Sequence, residues 1–306
     1  MFAPRRARPR PAALMLPLDR NVRALVVELH GSGLDARRQR ELSGLAERLL
    51  AQGIAVLFPQ GVIPFRITTA SAPGFAWAVP GAPLPGGNGP APTGVDDCGW
   101  IEALVEKVQG DLSIGAKPLF IAGYSGGARL ASHLVVRGRS RWSAAGLVAG
   151  LRAVAGGHRA PPPTITFHGV EDIVNPYHGA DGDRWDIGVE AAGERYAAMQ
   201  GCPHTPSDVP VVGGRLRRYS TASATMLTMY GLVGAGHAWP GSTDADHLRM
   251  FGPMTGPMNA SDFISTFFAG HLAIHEGRDR SGDGRGRARS VEASGRDTLP
   301  ASEDRR

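Results

Sequence analysis

Lys117-Pro118-Leu119-Phe120-Ile121-Ala122-Gly123-Tyr124-Ser125-Gly126-Gly127-Ala128-Arg129-Leu130-Ala131 is the stretch from which the rest of the chain can be ordered. Residues 117–122 are a short apolar run, which predicts a strand buried in a sheet. Residues 126–137 predict a helix directly after it. Between them lies G-x-S-x-G. A sharp strand-to-helix turn needs small flanking residues, because the serine sits on strained backbone and its neighbours press together. Such a turn lifts the Ser125 hydroxyl off the sheet edge. It also aims the Gly126 amide at the start of the helix, where an oxyanion is stabilised.

Outward from this turn, strand and helix signals alternate. Residues 24–29 (ALVVEL) and 54–58 (IAVLF) read as buried strands. Between them, Leu42, Leu45, Leu49 and Leu50 mark one face of a helix over 36–52 that stops at Gly53. Thr93, Asp96 and Asp97 supply cap and first-turn acids for a helix over 96–109. Residues 144–149, 164–167, 214–219 and 224–232 read as later strands, with helices over 186–200 and 260–270. The alternation predicts a single-domain, doubly wound α/β fold with a mostly parallel sheet. Residues 60–94 have no period and are rich in Gly, Pro, Ala and Thr, yet carry Phe65, Phe75 and Trp77. Two readings stand: a partly ordered loop over a binding cleft, or a surface insertion packed on itself.

A reactive serine needs a base, and the base needs an acid to orient it. In this fold class the order is Ser, then Asp or Glu, then His. The strand at 164–167 is followed by His168-Gly169-Val170-Glu171-Asp172. Asp172 is preferred over Glu171, because a residue deeper in the turn reaches back across the sheet end. The run at 224–232 leads to Gly234-Ala235-Gly236-His237-Ala238-Trp239-Pro240-Gly241, which makes His237 the candidate base. His30-Gly31-Ser32-Gly33, after the first core strand, is the candidate second half of an oxyanion hole, with the Ser32 amide first and Gly33 second. Trp239, Trp77, Tyr124 and His30 are candidate substrate contacts. His30 also ends a strand before a glycine, as His168 does, where packing is the plainer reading. The remaining histidines, His247 among them, show no paired spacing. No HExxH or Cys/His cluster occurs, so neither a metal nor another cofactor is expected.

Composition narrows the field further. Hydrophobic residues are 42% and charged residues 20% of the 306, enough to bury a core. The net charge of +5 sits largely at the ends: Arg5, Arg6, Arg8 and Arg10 without an acid, and eight Arg against seven acids over 276–306. The stretch between is close to neutral, so neither nucleic acid nor an anionic membrane is an expected partner. The chain divides into a basic, poorly ordered arm (1–20), a catalytic domain (21–275) and a disordered charged tail (276–306). PAALML is shorter than the roughly 7–15 residues of an export signal's apolar region. The sequence as written therefore reads as cytoplasmic; an upstream start would make it secreted. Cys98 and Cys202 are equally compatible with a disulfide and with two buried thiols.

The segments LHGSG (29–33), GYSGG (123–127), FHGVEDIVNPY (167–177) and GHAWPG (236–241), in this order, resemble the polyhydroxybutyrate depolymerase and feruloyl/acetylxylan esterase group, the carbohydrate esterase family 1-like α/β-hydrolases that include the LpqC-type lipoproteins. Residues 95–101 and 262–268 are similar to further segments of that group, so the likeness spans roughly 24–270. The resemblance implies an α/β-hydrolase fold and a serine esterase acting on hydroxyalkanoate oligomers or on feruloyl and acetyl esters. It implies Ser125 as nucleophile, Asp172 as acid and His237 as base. A peptidase on the same fold and a non-catalytic ligand-binding protein are the alternatives. Members are commonly exported and carry an N-terminal hairpin before the first core strand. Here about 20 residues precede that strand, and two readings stand: part of the sheet is missing, or the start site is wrong.

Overall fold

The computed structural model describes residues 10–69, 71–87, 89–182, 184–253 and 256–291, with side chains described as far as 279. Nine strands among these form one sheet: β1 (Ala12–Met15), β2 (Ala24–Leu29), β3 (Ile54–Pro59), β6 (Leu119–Tyr124), β7 (Ala144–Val148), β8 (Thr164–Gly169), β9 (Ser207–Val211), β10 (Gly214–Ser220) and β11 (Thr225–Leu232). Their order is β1-β3-β2-β6-β7-β8-β11-β10-β9. The centre, from β3 to β11, is parallel, and the two margins are antiparallel. A separate two-stranded hairpin, β4 (Ile63–Phe65) with β5 (Gly74–Ala76), lies within the expected loop.

Helices cover both faces, which is why every residue of β2, β3, β6, β7 and β8 is buried and most are apolar. Along β2, Leu25, Val27 and Leu29 pack in one core with residues of α3 (Asp97–Asp111), α4 (Gly126–Arg137) and α5 (Val189–Met199). Ala24 and Val26 enter the opposite core with α1 (Ala36–Ser43), α2 (Leu45–Leu50) and α7 (Ala260–Val291). Successive side chains of a strand point to opposite faces, so one six-residue run feeds both layers. The structure is the doubly wound α/β architecture expected from the sequence. Among the described residues, no helix is long and apolar enough to cross a membrane.

Several boundaries differ from expectation. The helix expected over 36–52 is broken at Gly44, whose left-handed backbone ends α1 and begins α2. Residues 12–15 belong not to a loose arm but to β1, which pairs with β3 and covers its otherwise open edge. Arg10 is also held: it pairs with Asp97 and lies 4.0 Å over the Trp100 ring. The margin of the sheet is therefore closed by one antiparallel strand. At the other end, helix α7 runs through 276–291, which the charged composition had assigned to a disordered tail. Buried Leu272 and the ion pair from Arg23 to Glu276 (2.8 Å) anchor this helix. Residues 1–9 of the arm and 292–306 of the tail lie outside the described residues. Cys98 and Cys202 are both free thiols, packed with the α3 and α5 core.

Candidate active site

Ser125 stands between β6 and α4 at φ 51°, ψ −114°, a backbone region costly for a residue with a Cβ. The flanking glycines make the turn possible by close approach. A Cβ on Gly123 would lie 2.7 Å from the Gly127 carbonyl carbon, and one on Gly127 would lie 2.6 Å from His30 O. Ser125 N–H donates to Val148 O of the neighbouring strand at 2.8 Å, which pins the turn to the sheet edge.

Asp172 and His237 reach the same edge from later strands. The loop after β8 is stitched to the loop after β11: Val170 N–H donates to Leu232 O (2.9 Å) and Glu171 N–H to Ala235 O (3.0 Å). His237 Nδ1 is 2.6 Å from Asp172 Oδ2, and His237 Nε2 is 2.8 Å from Ser125 Oγ. The carboxylate can only accept, so Nδ1 carries the proton and Nε2 is free to receive the serine's. Asp172 is almost fully enclosed but not short of donors. Its Oδ1 accepts from Val174 N–H (2.8 Å) and Asn175 N–H (2.7 Å), and His168 Nε2 lies 3.2 Å from Oδ2. Burial pushes this carboxyl up, but the charge of His237 and the bonds from His168 and His237 outweigh it and hold it well below the usual carboxylate range.

The two expected oxyanion amides are neighbours. A Cβ on Gly126 would collide with Ser32 Oγ and lie 3.4 Å from Ser32 N. Gly126 is the first residue of α4, where an amide has no partner in the helix ladder. Gly33, the second candidate, is not free for such a role: its N–H donates to Phe75 O at 2.8 Å, so the donor is already used by the β5 hairpin.

The expected substrate contacts are corrected in the same way. Trp239, Trp77, Tyr124 and His30 are all buried. Trp239 Nε1–H donates to Ser261 Oγ (3.1 Å), and Trp77 Nε1–H to His30 O (2.8 Å). Tyr124 O–H donates to His237 O at 2.9 Å and braces the loop from beneath. His30 Nε2 accepts from Gly61 N–H (3.0 Å), and burial pushes its pKa down to about 4. Aromatic rings beside a reactive group serve as its packing here, a role that sequence position alone cannot separate from ligand contact.

Two contributors escaped the sequence reading. His168 was set aside as packing. His247, on α6 (Ala245–Phe251), accepts Trp239 N–H at 3.1 Å through Nε2 and so shapes the His237 loop. Spacing gave no sign of it, because it acts across the fold. Ile173 and Val174, which follow Asp172 in the chain, are 85% and 45% exposed. Among the described residues, no group of three or more His, Cys, Asp or Glu side chains is placed to hold a metal ion.

A strained serine turn between a parallel strand and a helix, in a doubly wound sheet with antiparallel margins, defines the α/β-hydrolase fold. Among solved structures, the chain is similar to an acetyl xylan esterase from Aspergillus awamori (TM-score 0.54, 14% identity, 77% of this chain and 90% of that one). It is equally similar to esterase PE8 (TM-score 0.54, 15% identity, 85% and 97%). In sequence it is 28% identical over 125 residues to a probable feruloyl esterase C of Aspergillus niger, covering 40% of this chain. The match spans 43% of that protein, less than half its length. No protein-family model matches the chain.

Proposed function

We propose that the protein is a carboxylic ester hydrolase that works through an acyl-enzyme on Ser125. The observation that carries this reading is the continuous relay Ser125 Oγ–His237 Nε2–His237 Nδ1–Asp172 Oδ2, at 2.8 and 2.6 Å, beneath a strained turn. His237 takes the hydroxyl proton as Ser125 Oγ bonds to the ester carbonyl carbon. The Gly126 and Ser32 amides hold the oxyanion, and Asp172 keeps the imidazole in its productive tautomer and balances the imidazolium. The tetrahedral intermediate collapses, and the alcohol leaves with the proton from His237. Water, activated by the same imidazole, then releases the acid and restores Ser125.

Esters of ferulate or acetate on plant polysaccharide, and hydroxyalkanoate oligomers, are the substrate class that the similarities and the sequence segments favour. Exposed Ile173 and Val174 offer apolar surface to an acyl or aryl group beside the relay. Wild type should hydrolyse p-nitrophenyl acetate and butyrate and label with a fluorophosphonate at Ser125. Ser125→Ala should lose about 10⁶-fold in rate and all labelling. An alanine variant that keeps the wild-type rate would falsify the assignment. A panel of feruloyl, acetyl and 3-hydroxybutyrate esters, with peptides included, then orders the substrates.

A further inference from the structure

Behind the serine turn, α4 presents Arg129, His133 and Arg137 on successive turns to a cavity of about 480 Å³. Residues 79–82 and Arg152 with the loop after it form its other walls, and Asp186 completes it. Arg129 N–H donates to Ser125 O, one helical turn or about 6 Å along the axis from the reactive residue.

Among the described lining residues the charges do not balance, with Arg129, Arg137 and Arg152 set against Asp186. Arg152 pairs with Asp186, the one acidic side chain among the described lining residues. Arg129 is 5% exposed, and its carboxylate neighbour in the cavity is the same Asp186 that already pairs with Arg152; its Nη2–H donates to Arg184 O at 3.1 Å, and its Nε has no partner. The Trp185 ring takes the face of Arg152 at 4.5 Å and of Arg129 at 5.7 Å, a partial compensation that also fixes where both guanidiniums point. Burial, then Arg184 and Arg152, push Arg129 down to about 9. A guanidinium nonetheless keeps its proton near neutrality, so the charge remains to be met. Arg152 also donates from Nη1 to Ile187 O at 3.0 Å, so a carboxylate or phosphate, which guanidinium binds in pairs of parallel bonds, would share Arg152 with the acceptors it already has and add a counter-charge for Arg129.

We propose that this cavity is an oxyanion-binding site for a carboxylate or phosphate group, held by Arg129 and Arg152. The group comes either from a free small anion or from an acidic arm of the ester substrate; the second source rests on the esterase reading above.

Calorimetric titration of the full chain with malonate and with inorganic phosphate, at constant ionic strength set by chloride, tests the site without reference to activity. Saturable binding of at least one anion is expected, together with a thermal midpoint that rises and then levels off. Arg129→Gln and Arg152→Gln should each weaken that binding at least tenfold. Absence of saturable binding to the wild type overturns the proposal, and this measurement decides it even where a variant fails to fold. Binding unchanged in both folded variants overturns it too. Kinetics then separate the sources: a KM for p-nitrophenyl hemisuccinate well below that for p-nitrophenyl pentanoate, raised by Arg129→Gln, assigns the acidic arm. Equal KM values alongside measured anion binding assign a free anion. Loss of all ester hydrolysis with anion binding intact would sink the esterase reading and leave this site standing.

Discussion

His168 Nε2 lies 3.2 Å from Asp172 Oδ2, the same oxygen that receives the His237 Nδ1 proton. It also lies 2.8 Å from Asn175 O, so both of its neighbours are acceptors and Nε2 must carry a proton. Asp172 is therefore held between two imidazoles and two backbone amides. His168→Ala is expected to lower kcat for ester hydrolysis by about 10²-fold through misplacement of the carboxylate, with KM little changed. His168→Gln, which keeps a donor, should recover part of the loss. Steady-state kinetics on variants of native circular dichroism check this, and an unaltered kcat would remove His168 from the positioning set.

Gly126 and Ser32 should behave as a coupled pair. Gly126→Ala drives a methyl group into Ser32 Oγ and forces the two amides apart, and a lost oxyanion donor typically costs about 10²–10³ in kcat. Ser32→Gly removes the colliding hydroxyl while keeping the amide. The double variant should therefore turn over faster than Gly126→Ala alone, as a double-mutant cycle of kcat will read. Strict additivity would mean that the two residues do not share a site.

Acid should destabilise the fold through His30 and His247. Burial holds both pKa values near 4, against the ordinary 6.5. The unfolded chain thus binds these protons first. Stability is complete above about pH 6.5 and falls as pH drops towards 4, by up to about 3 kcal/mol for each group. Urea midpoints at pH 7.5 and 5 should fall more steeply for wild type than for His247→Gln. Parallel slopes would show that the buried imidazole contributes nothing.

Glu28 should act with the opposite sign. It lies inside β2, with Oε1 accepting from Gln39 Nε2 at 3.0 Å, and burial raises its pKa from 4.5 to about 7. The folded chain here holds its proton more tightly than the unfolded chain. Stability is complete below about pH 4.5 and is lost as pH rises through 7, by up to about 3 kcal/mol. Glu28→Gln should match wild type at pH 5 and exceed it at pH 8 in urea denaturation. A variant no more stable at pH 8 contradicts this.

The central sheet was legible because strands buried on both faces are predominantly apolar, as ALVVEL at 24–29 is but for Glu28. The serine turn was legible because close packing admits few residue types there. The outermost strands were not: β9 (SDVPV) is exposed along most of its length and carries Pro210, so no burial pattern marks it. The β4–β5 hairpin was hidden among glycines and prolines, and its strands are only three residues long. Positions of the aromatics were misread for a related reason. Trp239 lies two residues from His237, yet its indole turns inward to Ser261, and only the tertiary fold decides which side of a loop faces solvent.

The bond from Gly33 N–H to Phe75 O has a partner, Phe75 N–H to Leu34 O at 2.9 Å, and Trp77 ties the same hairpin to His30 O. The insertion and the loop that carries the Ser32 amide therefore move as one piece. Grafting a different 60–94 segment to retarget the protein would shift the Ser32 amide, the proposed oxyanion donor, so selectivity and rate are expected to change together at this end of the molecule.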